Sequence, residues 1–194
     1  GIALAIDEGL VTRGDLWITS KLWNTYHAPE HVEPAIRRTL SDLGVEYLDL
    51  YLIHWPNPSV DKYVDSWRAM IKLKDDGLVR SIGVSNFTAA FLERLRDETG
   101  VLPAVNQIEL HPFFPQVELC DFHVKLGIVT QAWSPFGKHA ASLLSSGPIA
   151  SAAAAHSVTP AQIVLKWHSQ IGSLPIPKSA DEGRQRENLA DLAF

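Results

Sequence analysis

Short apolar segments alternate with longer amphipathic segments along most of the chain. The short segments are rich in branched and aromatic residues and predict strands, whereas apolar positions three and four residues apart predict helices. The predicted strands are 16–20, 48–53, 79–84, 104–110, 128–132 and 174–177. The predicted helices are 29–43, 64–76, 89–98, 117–126, 149–155, 160–170 and 181–192, and residues 1–10 have the pattern of the middle of a helix.

Residues 138–147 do not fit this alternation. They are rich in serine, alanine and glycine, which is typical of a flexible loop, but an alanine-rich helix end has a similar composition. Both interpretations stay open from the residues alone.

Strands that alternate with helices in this way predict parallel βαβ units and an α/β fold. An open nucleotide-binding sheet would place a glycine-rich turn after its first strand, and neither G-x-G-x-x-G nor G-x-x-x-x-G-K-[ST] occurs in the sequence. A closed (β/α)8 barrel would instead place polar side chains at the carboxyl ends of many strands. Polar or aromatic residues lie at the end of every predicted strand: Ser20–Lys21, His54–Trp55, Ser85–Asn86, Gln107–Glu109, Trp133–Ser134 and Lys178–Ser179. The pattern therefore favours the barrel, and without a linker-like change in composition it favours one domain.

Lys21 and His54 are the strongest candidates for chemistry. A lysine directly after an apolar strand should be largely buried, and burial disfavours its charge unless a carboxylate lies close. No acidic residue near Lys21 in the sequence is placed to pair with it; the alternative is a lysine that reaches solvent from the strand end. His54 should lie on the same face, so we favour a catalytic histidine over a purely structural one.

Composition and charge narrow the range of partners. The chain has 17 Lys and Arg against 22 Asp and Glu, a formal charge of −5, which excludes a protein that binds nucleic acid by electrostatics. No apolar run is long enough to span a membrane, and the single cysteine is consistent with a reducing compartment. We therefore expect a cytoplasmic protein, and a monomer, because no exposed apolar stripe requires a partner.

Other combinations of reactive residues carry less weight. His27 to His31 match the zinc-protease pattern H-x-x-E-H, but Pro29 should begin the helix and leave His27 outside it, so we predict no metal site. Cys120 falls within a predicted helix, which favours a structural thiol. The more isolated histidines at 123, 139, 156 and 168 lack ligand spacing and are expected on the surface or in packing roles.

Five ordered motifs resemble those of the aldo-keto reductase family. They are 18–23 (ITSKLW), 49–56 (DLYLIHWP), 83–87 (GVSNF), 106–112 (NQIELHP) and 176–179 (IPKS). Residues 131–135 (QAWSP) and 167–168 (WH) are most similar to the bacterial 2,5-diketo-D-gluconate reductase group. The resemblance implies a (β/α)8 barrel that reduces aldehydes or ketones with NADPH and lacks a Rossmann fold.

The resemblance also implies roles for individual residues. Lys21 and His54 would be catalytic, and Trp23, His54 and Trp55 would line the substrate pocket. Residues of the third, fourth and fifth strands would bind the nicotinamide half of the cofactor: Ser85, Asn86, Gln107, Trp133 and Ser134. Residues near the last helix would bind the adenosine half, with Lys178, Ser179 and Arg184 at the 2′-phosphate and Glu187 and Asn188 near the adenine.

Two catalytic groups of the family have no match in the sequence. The family uses a tyrosine that protonates the carbonyl oxygen and an aspartate that pairs with the lysine, and both precede the strand that bears the lysine. Residues 1–15 contain only Asp7, Glu8 and Asp15 as acids, and the first tyrosine is Tyr26. We therefore expect about six of eight βα units, a barrel incomplete at both ends, and no turnover by the chain as printed.

Two functional hypotheses follow. The first is NADPH-dependent reduction of an aldehyde or ketone, such as the keto sugar acid 2,5-diketo-D-gluconate. The alternative is a naturally short barrel fragment that binds a nucleotide or a partner protein without catalysis. A native mass close to that of the 194 residues would favour the alternative, and a much larger one would favour the enzyme.

Overall fold

The strands of the computed structural model, which describes residues 1–190, follow one another across a sheet in the order of the chain. The strands are β1 (Thr19–Leu22), β2 (Leu48–Ile53), β3 (Val79–Ser85), β4 (Val105–Glu109), β5 (Val129–Trp133) and β6 (Leu174–Pro175). β2 pairs in parallel with β1 and with β3, and β5 pairs in parallel with β6.

Helices connect these strands. They are α1 (Ile2–Asp7), α2 (Pro29–Leu43), α3 (Tyr63–Asp75), α4 (Ala89–Thr99), α5 (Val117–Leu126), α6 (Ala140–Leu144), α7 (Gly147–His156), α8 (Pro160–Gln170) and α9 (Glu182–Asn188). Two short 3-10 helices cover Arg13–Asp15 and Asn24–Tyr26. The parallel order with helical crossovers is that of six consecutive βα units of a (β/α)8 barrel, as predicted; within residues 1–190 the sheet is not closed.

The chain divides into two compact units, Gly1–Asn106 and the part that begins at Gln107. In the first unit every side chain of β2 is buried, and apolar side chains of α2 and α3 are buried with it. In the second unit the core contains Ile108, Leu110 and Ala132, with Leu119 and Trp167 packed against them. Each unit therefore has its own apolar interior.

Helix α2 shows how closely local sequence sets an element. Pro29 occupies its first turn, and Val32, Ile36 and Leu40 are buried at intervals of four residues. Gly44 ends the helix at φ +68, a conformation that glycine adopts without steric cost. The predicted bounds of 29–43 are confirmed.

Some strand bounds differ from the prediction. The first strand was expected at 16–20, but β1 covers Thr19–Leu22, so Lys21 lies inside the strand opposite Leu52 instead of after its end. Pairing with β2 decides this register, and Trp17 remains 66% exposed outside the sheet. Likewise Gln107 and Glu109 lie within β4, and Lys178 follows the two-residue β6 at a distance of three residues.

Two helical segments also differ. Residues 140–144 form α6, in which Leu143 is buried, so the flexible-loop interpretation is wrong for these residues. The last helix covers Glu182–Asn188, with Asp181 as its N-cap, instead of 181–192. Residues 191 and 192 of the predicted helix lie outside the described part of the chain.

Candidate active site

In the first unit, Lys21 lies on β1 and His54 directly follows the neighbouring strand β2. The His54 amide donates to the Leu22 carbonyl at 3.1 Å, which continues the pairing of β2 with β1 past the end of β2. Lys21 is half-buried, and burial lowers the pKa of its ammonium group. In residues 1–190 no carboxylate forms a salt bridge with Lys21.

The surroundings of His54 favour its neutral form. Burial, followed by the positive charge of Lys21, lowers the pKa of the imidazole. The Trp23 ring lies 4.8 Å from the His54 ring, centroid to centroid, and His54 Nδ1 is buried with no hydrogen-bond partner in the described part of the chain. A neutral imidazole of this kind can donate a hydrogen bond to a carbonyl oxygen.

Two tryptophans present large exposed surfaces beside these residues. Trp23 is 54% exposed and Trp55 is 44% exposed, and the Trp55 ring centroid lies 6.3 Å from that of His54. Exposed tryptophans are unusual on a protein surface and are enriched at binding sites. That the two tryptophans line a substrate pocket stays a prediction.

A cavity of about 520 Å³ opens next to Lys21 and Trp23. Side chains of α2, including Arg38 and Asp42, form much of its wall, whereas His54 and Trp55 do not line it. Tyr26 and Tyr51 also line this cavity, a placement that the sequence pattern did not indicate.

The end of β3 carries Ser85 and Asn86. Ser85 is buried, and Asn86 has a left-handed backbone with φ +64. The Asn86 side-chain amide donates to the His54 carbonyl at 3.0 Å and to Ser85 Oγ at 3.1 Å. The structure thus brings three of the predicted site residues together.

In the second unit, Gln107 on β4 is buried and joined to β5. Its side-chain amide donates to the side-chain carbonyl of Gln131 at 2.6 Å, so Gln131, which was not a predicted site residue, orients it. Trp133 ends β5, and its carbonyl accepts a hydrogen bond from the Leu110 amide at 3.4 Å. Ser134 follows with a left-handed backbone at φ +49.

Lys178, Ser179 and Arg184 lie around the start of α9. The N-cap Asp181 accepts from the Arg184 amide at 2.8 Å, while the Lys178 and Arg184 side chains are exposed. Lys178 forms no salt bridge with any of the described residues. Two exposed cations in this segment are suited to an anionic group.

Glu187 and Asn188 lie at the other end of α9. A Glu187 carboxylate oxygen accepts a hydrogen bond from the Thr159 hydroxyl, which caps α8, so this side chain links the two helices. Asn188 lines a largely apolar cavity of about 650 Å³ together with Leu174 and Gln185.

Residues 1–190 contain no group of three or more His, Cys, Asp or Glu side chains that could hold a metal ion. His27 precedes α2 and His31 lies within it, as expected for H-x-x-E-H interrupted by Pro29. In the same range, no helix is both long enough and apolar enough to cross a membrane.

The motifs that carry these residues match a known family model. The model of the Aldo/keto reductase family covers residues 2–194. The chain belongs to this family.

Individual aldo/keto reductases are similar over the whole chain. The 2,5-diketo-D-gluconic acid reductase B of a Corynebacterium species is 50% identical over 193 residues, which are 100% of this chain and 69% of the relative. The methylglyoxal reductase DkgA of Yersinia pestis is 44% identical over 195 residues, 100% of this chain and 69% of that protein.

Solved aldo/keto reductases share the fold. The enzyme of Brucella melitensis superimposes with a TM-score of 0.93 at 48% identity, covering 100% of this chain and 74% of that one. The Bombyx mori enzyme, solved in complex with NADP, gives a TM-score of 0.91 at 38% identity, with 100% and 67% covered. These likenesses confirm the predicted family and fold.

Proposed function

We propose that this aldo/keto reductase reduces an aldehyde or ketone to the alcohol with NADPH. The proposal rests on the placement of Lys21 and His54. Lys21 is half-buried and has no carboxylate partner among residues 1–190, and it lies beside His54, whose pKa is lowered and whose ring packs against Trp23. The names of the curated relatives, a diketogluconic acid reductase and a methylglyoxal reductase, support the reaction class. The NADP complex of the Bombyx mori enzyme supports the cofactor.

His54 and Lys21 have separate tasks in this reaction. The neutral imidazole of His54 donates a hydrogen bond that orients the substrate carbonyl, and Trp23 and Trp55 hold the rest of the substrate by their ring faces. The Lys21 cation lowers the pKa of the group that protonates the carbonyl oxygen. These groups contribute orientation and electrostatics to the reaction.

The polar residues of the strand ends fit the nicotinamide half of NADPH. Ser85, Asn86 and Gln107 offer uncharged donors and acceptors, which a carboxamide requires, and Trp133 followed by Ser134 offers an aromatic face for a flat ring. When bound, NADPH supplies the hydride that reduces the carbonyl carbon.

The residues around α9 fit the adenosine half. We propose that Lys178, Ser179 and Arg184 bind the 2′-phosphate, which NADH lacks, and that Glu187 and Asn188 lie near the adenine. The Glu187 carboxylate accepts a hydrogen bond from the Thr159 hydroxyl, which orients this side chain.

We further propose that none of the four tyrosines in the printed sequence is the proton donor. The Arg13 and Arg80 guanidinium groups lie over the Tyr47 ring, Tyr63 is buried against Phe87, and burial raises the pKa of Tyr51. Tyr26 lines the cavity beside Lys21 but follows the lysine in sequence, whereas the family's tyrosine precedes it. Tyr26→Phe should therefore leave both NADPH binding and any turnover unchanged, and a loss of turnover would assign proton donation to Tyr26.

The substrate we propose is a keto sugar acid, with small dicarbonyl compounds as the nearest alternative. Steady-state NADPH oxidation by the complete gene product with 2,5-diketo-D-gluconate, methylglyoxal and a panel of simple aldehydes and ketones tests this. Turnover with the sugar acid at the highest kcat/KM is the expected result. Binding of NADPH without turnover of any carbonyl compound would instead favour the non-catalytic nucleotide-binding alternative.

We also propose that the chain forms part of one cytoplasmic, monomeric reductase domain. The chain has a moderate net charge of −5. It has a single cysteine, which supports a reducing compartment. Size-exclusion chromatography with light scattering should give the mass of one chain, and a mass of two chains at micromolar concentration would contradict the monomer.

A further inference from the structure

His168 is fully buried in the last turn of α8 and contacts two other segments of the second unit. Its Nε2 lies 3.4 Å from the Pro135 carbonyl oxygen, and its Nδ1 lies 2.8 Å from Ser173 Oγ. The Trp167 ring packs edge-on against it with centroids 4.9 Å apart. Helix α8, the turn before β6 and the loop after β5 thus meet at one imidazole.

The partners of His168 fix its proton. A carbonyl oxygen only accepts hydrogen bonds, so Nε2 must carry the hydrogen that is donated to Pro135. Nδ1 then accepts from the Ser173 hydroxyl. Burial lowers the pKa of His168 to about 4, so this neutral form persists at neutral pH.

The loop that His168 contacts has an unfavourable backbone. Ser134 has φ +49, which is uncommon for a residue other than glycine, and it precedes a proline, which restricts it further. The turn closes through a hydrogen bond from the Gly137 amide to the Ser134 carbonyl at 2.7 Å. Such a conformation persists only where its surroundings hold it, and the buried Pro135 carbonyl is held by His168.

We propose that His168 is a positioning residue: its Nε2–H holds loop 134–137 and thereby fixes the ring of Trp133, the residue directly before the loop, for stacking on the nicotinamide. This inference rests on the proposed function, because it requires NADPH to bind at Trp133. His168 contacts no ligand itself and acts through Pro135.

Three substitutions separate positioning from packing. His168→Gln places an amide donor where Nε2 was, so it should keep the bond to Pro135. His168→Asn has a shorter side chain that can still meet Ser173 but does not reach Pro135, and His168→Leu removes both bonds. The control is His123→Leu, since His123 is equally buried in the same unit and bonds Thr130 through Nδ1 at 2.8 Å, away from the loop.

The rate of hydrogen exchange at the Gly137 amide measures directly how often loop 134–137 opens, and it can be followed with or without NADPH. One net hydrogen bond changes an equilibrium by about two- to tenfold, so His168→Asn and His168→Leu should speed Gly137 exchange by about that factor. His168→Gln should stay within about twofold of the original chain, and His123→Leu should not alter Gly137. If His168→Leu fails to fold, the comparison of Gln with Asn still decides.

The same variants should change NADPH affinity in the same order, measured by quenching of tryptophan fluorescence. Equal Gly137 exchange in the Gln and Asn variants, or an equal effect of His123→Leu, would overturn the positioning role. Changed exchange with unchanged NADPH affinity would overturn the link to Trp133. If the unsubstituted chain does not bind NADPH, the proposed function fails, while the exchange data still report whether His168 holds the loop.

Discussion

Two residues of the first unit, Lys21 and Asp49, differ in whether an opposite charge compensates their own. Lys21 has no carboxylate partner in residues 1–190 and its pKa is lowered by burial. Asp49 on β2 is fully buried but accepts hydrogen bonds from the Ile18 amide and from the Arg13 and Arg80 side chains at 2.8, 2.8 and 3.0 Å. Burial alone would raise the pKa of Asp49, but these bonds and charges together hold it below its usual value. Asp49 is therefore suited to stability and Lys21 to chemistry.

For Lys21, we predict that Lys21→Met strongly reduces turnover in the complete reductase while NADPH affinity stays within about twofold. Methionine keeps the apolar stem and removes the charge that assists the proton donor, and loss of acid–base catalysis typically costs about 10²- to 10⁴-fold. Because the Lys21 charge is one cause of the lowered His54 pKa, that pKa should rise in the variant when followed by NMR titration. Lys74→Met on the exposed face of α3 is the matched control. Near-normal turnover of Lys21→Met would remove the catalytic role.

For Asp49, we predict that Asp49→Asn destabilises the fold by about 2–4 kcal/mol, measured by urea denaturation. Removing one partner of a fully buried ion pair costs about 3–5 kcal/mol, and the value here should be lower because the Arg80 side chain is 56% exposed. The control is Glu33→Gln, which removes an exposed pair with Arg37 on α2 and should cost less than about 0.5 kcal/mol. Equal effects of the two substitutions would contradict a structural role for Asp49.

At the scale of elements, close packing of strands limits the residues that β3 can contain. A Cβ added to Gly83 would lie 2.6 Å from the Val105 carbonyl oxygen and 2.7 Å from a Leu52 methyl group. Backbone cannot move aside as a flexible side chain can. Close packing against β4 therefore explains why a glycine occupies position 83 of the G-V-S-N-F motif, before Ser85 and Asn86.

We predict that Gly83→Ala destabilises the chain by about 1–3 kcal/mol in thermal or urea unfolding, because the added methyl group overpacks the sheet. Gly147→Ala is the control, since nothing lies within 4 Å of its added Cβ at the start of α7. The control should be neutral or up to about 1 kcal/mol more stable. A neutral Gly83→Ala would mean that β3 and β4 separate more easily than the structure indicates.

Buried histidines join helices to strands in the second unit and should make stability depend on pH. His123 on α5 faces Thr130 on β5, and burial lowers its pKa to about 4 from 6.5. Between these pH values the unfolded chain binds a proton at His123 that the folded chain does not. The contribution of His123 to the free energy of unfolding is therefore fully present above pH 6.5 and is lost as the pH decreases toward 4.

Because of His123, the free energy of unfolding should change by up to about 1.4 kcal/mol per pH unit in this range. His123→Gln should reduce the difference in unfolding free energy between pH 7 and pH 5, measured by urea denaturation at each pH. A variant that loses as much stability as the original chain over this range would show that His123 is protonated in the folded state.

At the scale of the whole molecule, the net charge of the chain and the local charges around α9 have opposite signs. The chain is acidic overall, with −5, yet Lys178 and Arg184 are exposed cations around the start of one helix. NADPH is itself strongly anionic, so its binding must depend on local cations and not on the net field.

We predict that NADPH stabilises the chain against thermal unfolding, by about 2.7 kcal/mol at a concentration of 100 Kd. Lys178→Ala combined with Arg184→Ala should remove most of this gain for NADPH and little of the smaller gain for NADH. The control for net charge is Lys125→Ala with Arg186→Ala, which removes two exposed cations that have no proposed cofactor role. Equal losses for both cofactors would contradict the 2′-phosphate assignment.

The sequence by itself determined the order and type of nearly every element. The bounds of α2 and α5 and of β2 followed from apolar spacing, a first-turn proline or a terminal glycine, all of which act within a few residues. The ordered motifs also indicated the family, and they led to the roles proposed for Lys21, His54 and the cofactor residues. These signals are local, so no knowledge of distant contacts was needed.

Only the tertiary structure decided the contacts between distant segments. Pairing with β2 placed Lys21 inside β1, the side chains of Gln131 and Thr159 oriented Gln107 and Glu187, and His168 reached a carbonyl 33 residues away. None of these partners has a sequence pattern, because strand register and side-chain hydrogen bonds depend on which segments meet after folding. The sequence placed His168 on the surface or in a packing role; in the fold it is fully buried and its Nε2 lies 3.4 Å from the Pro135 carbonyl oxygen.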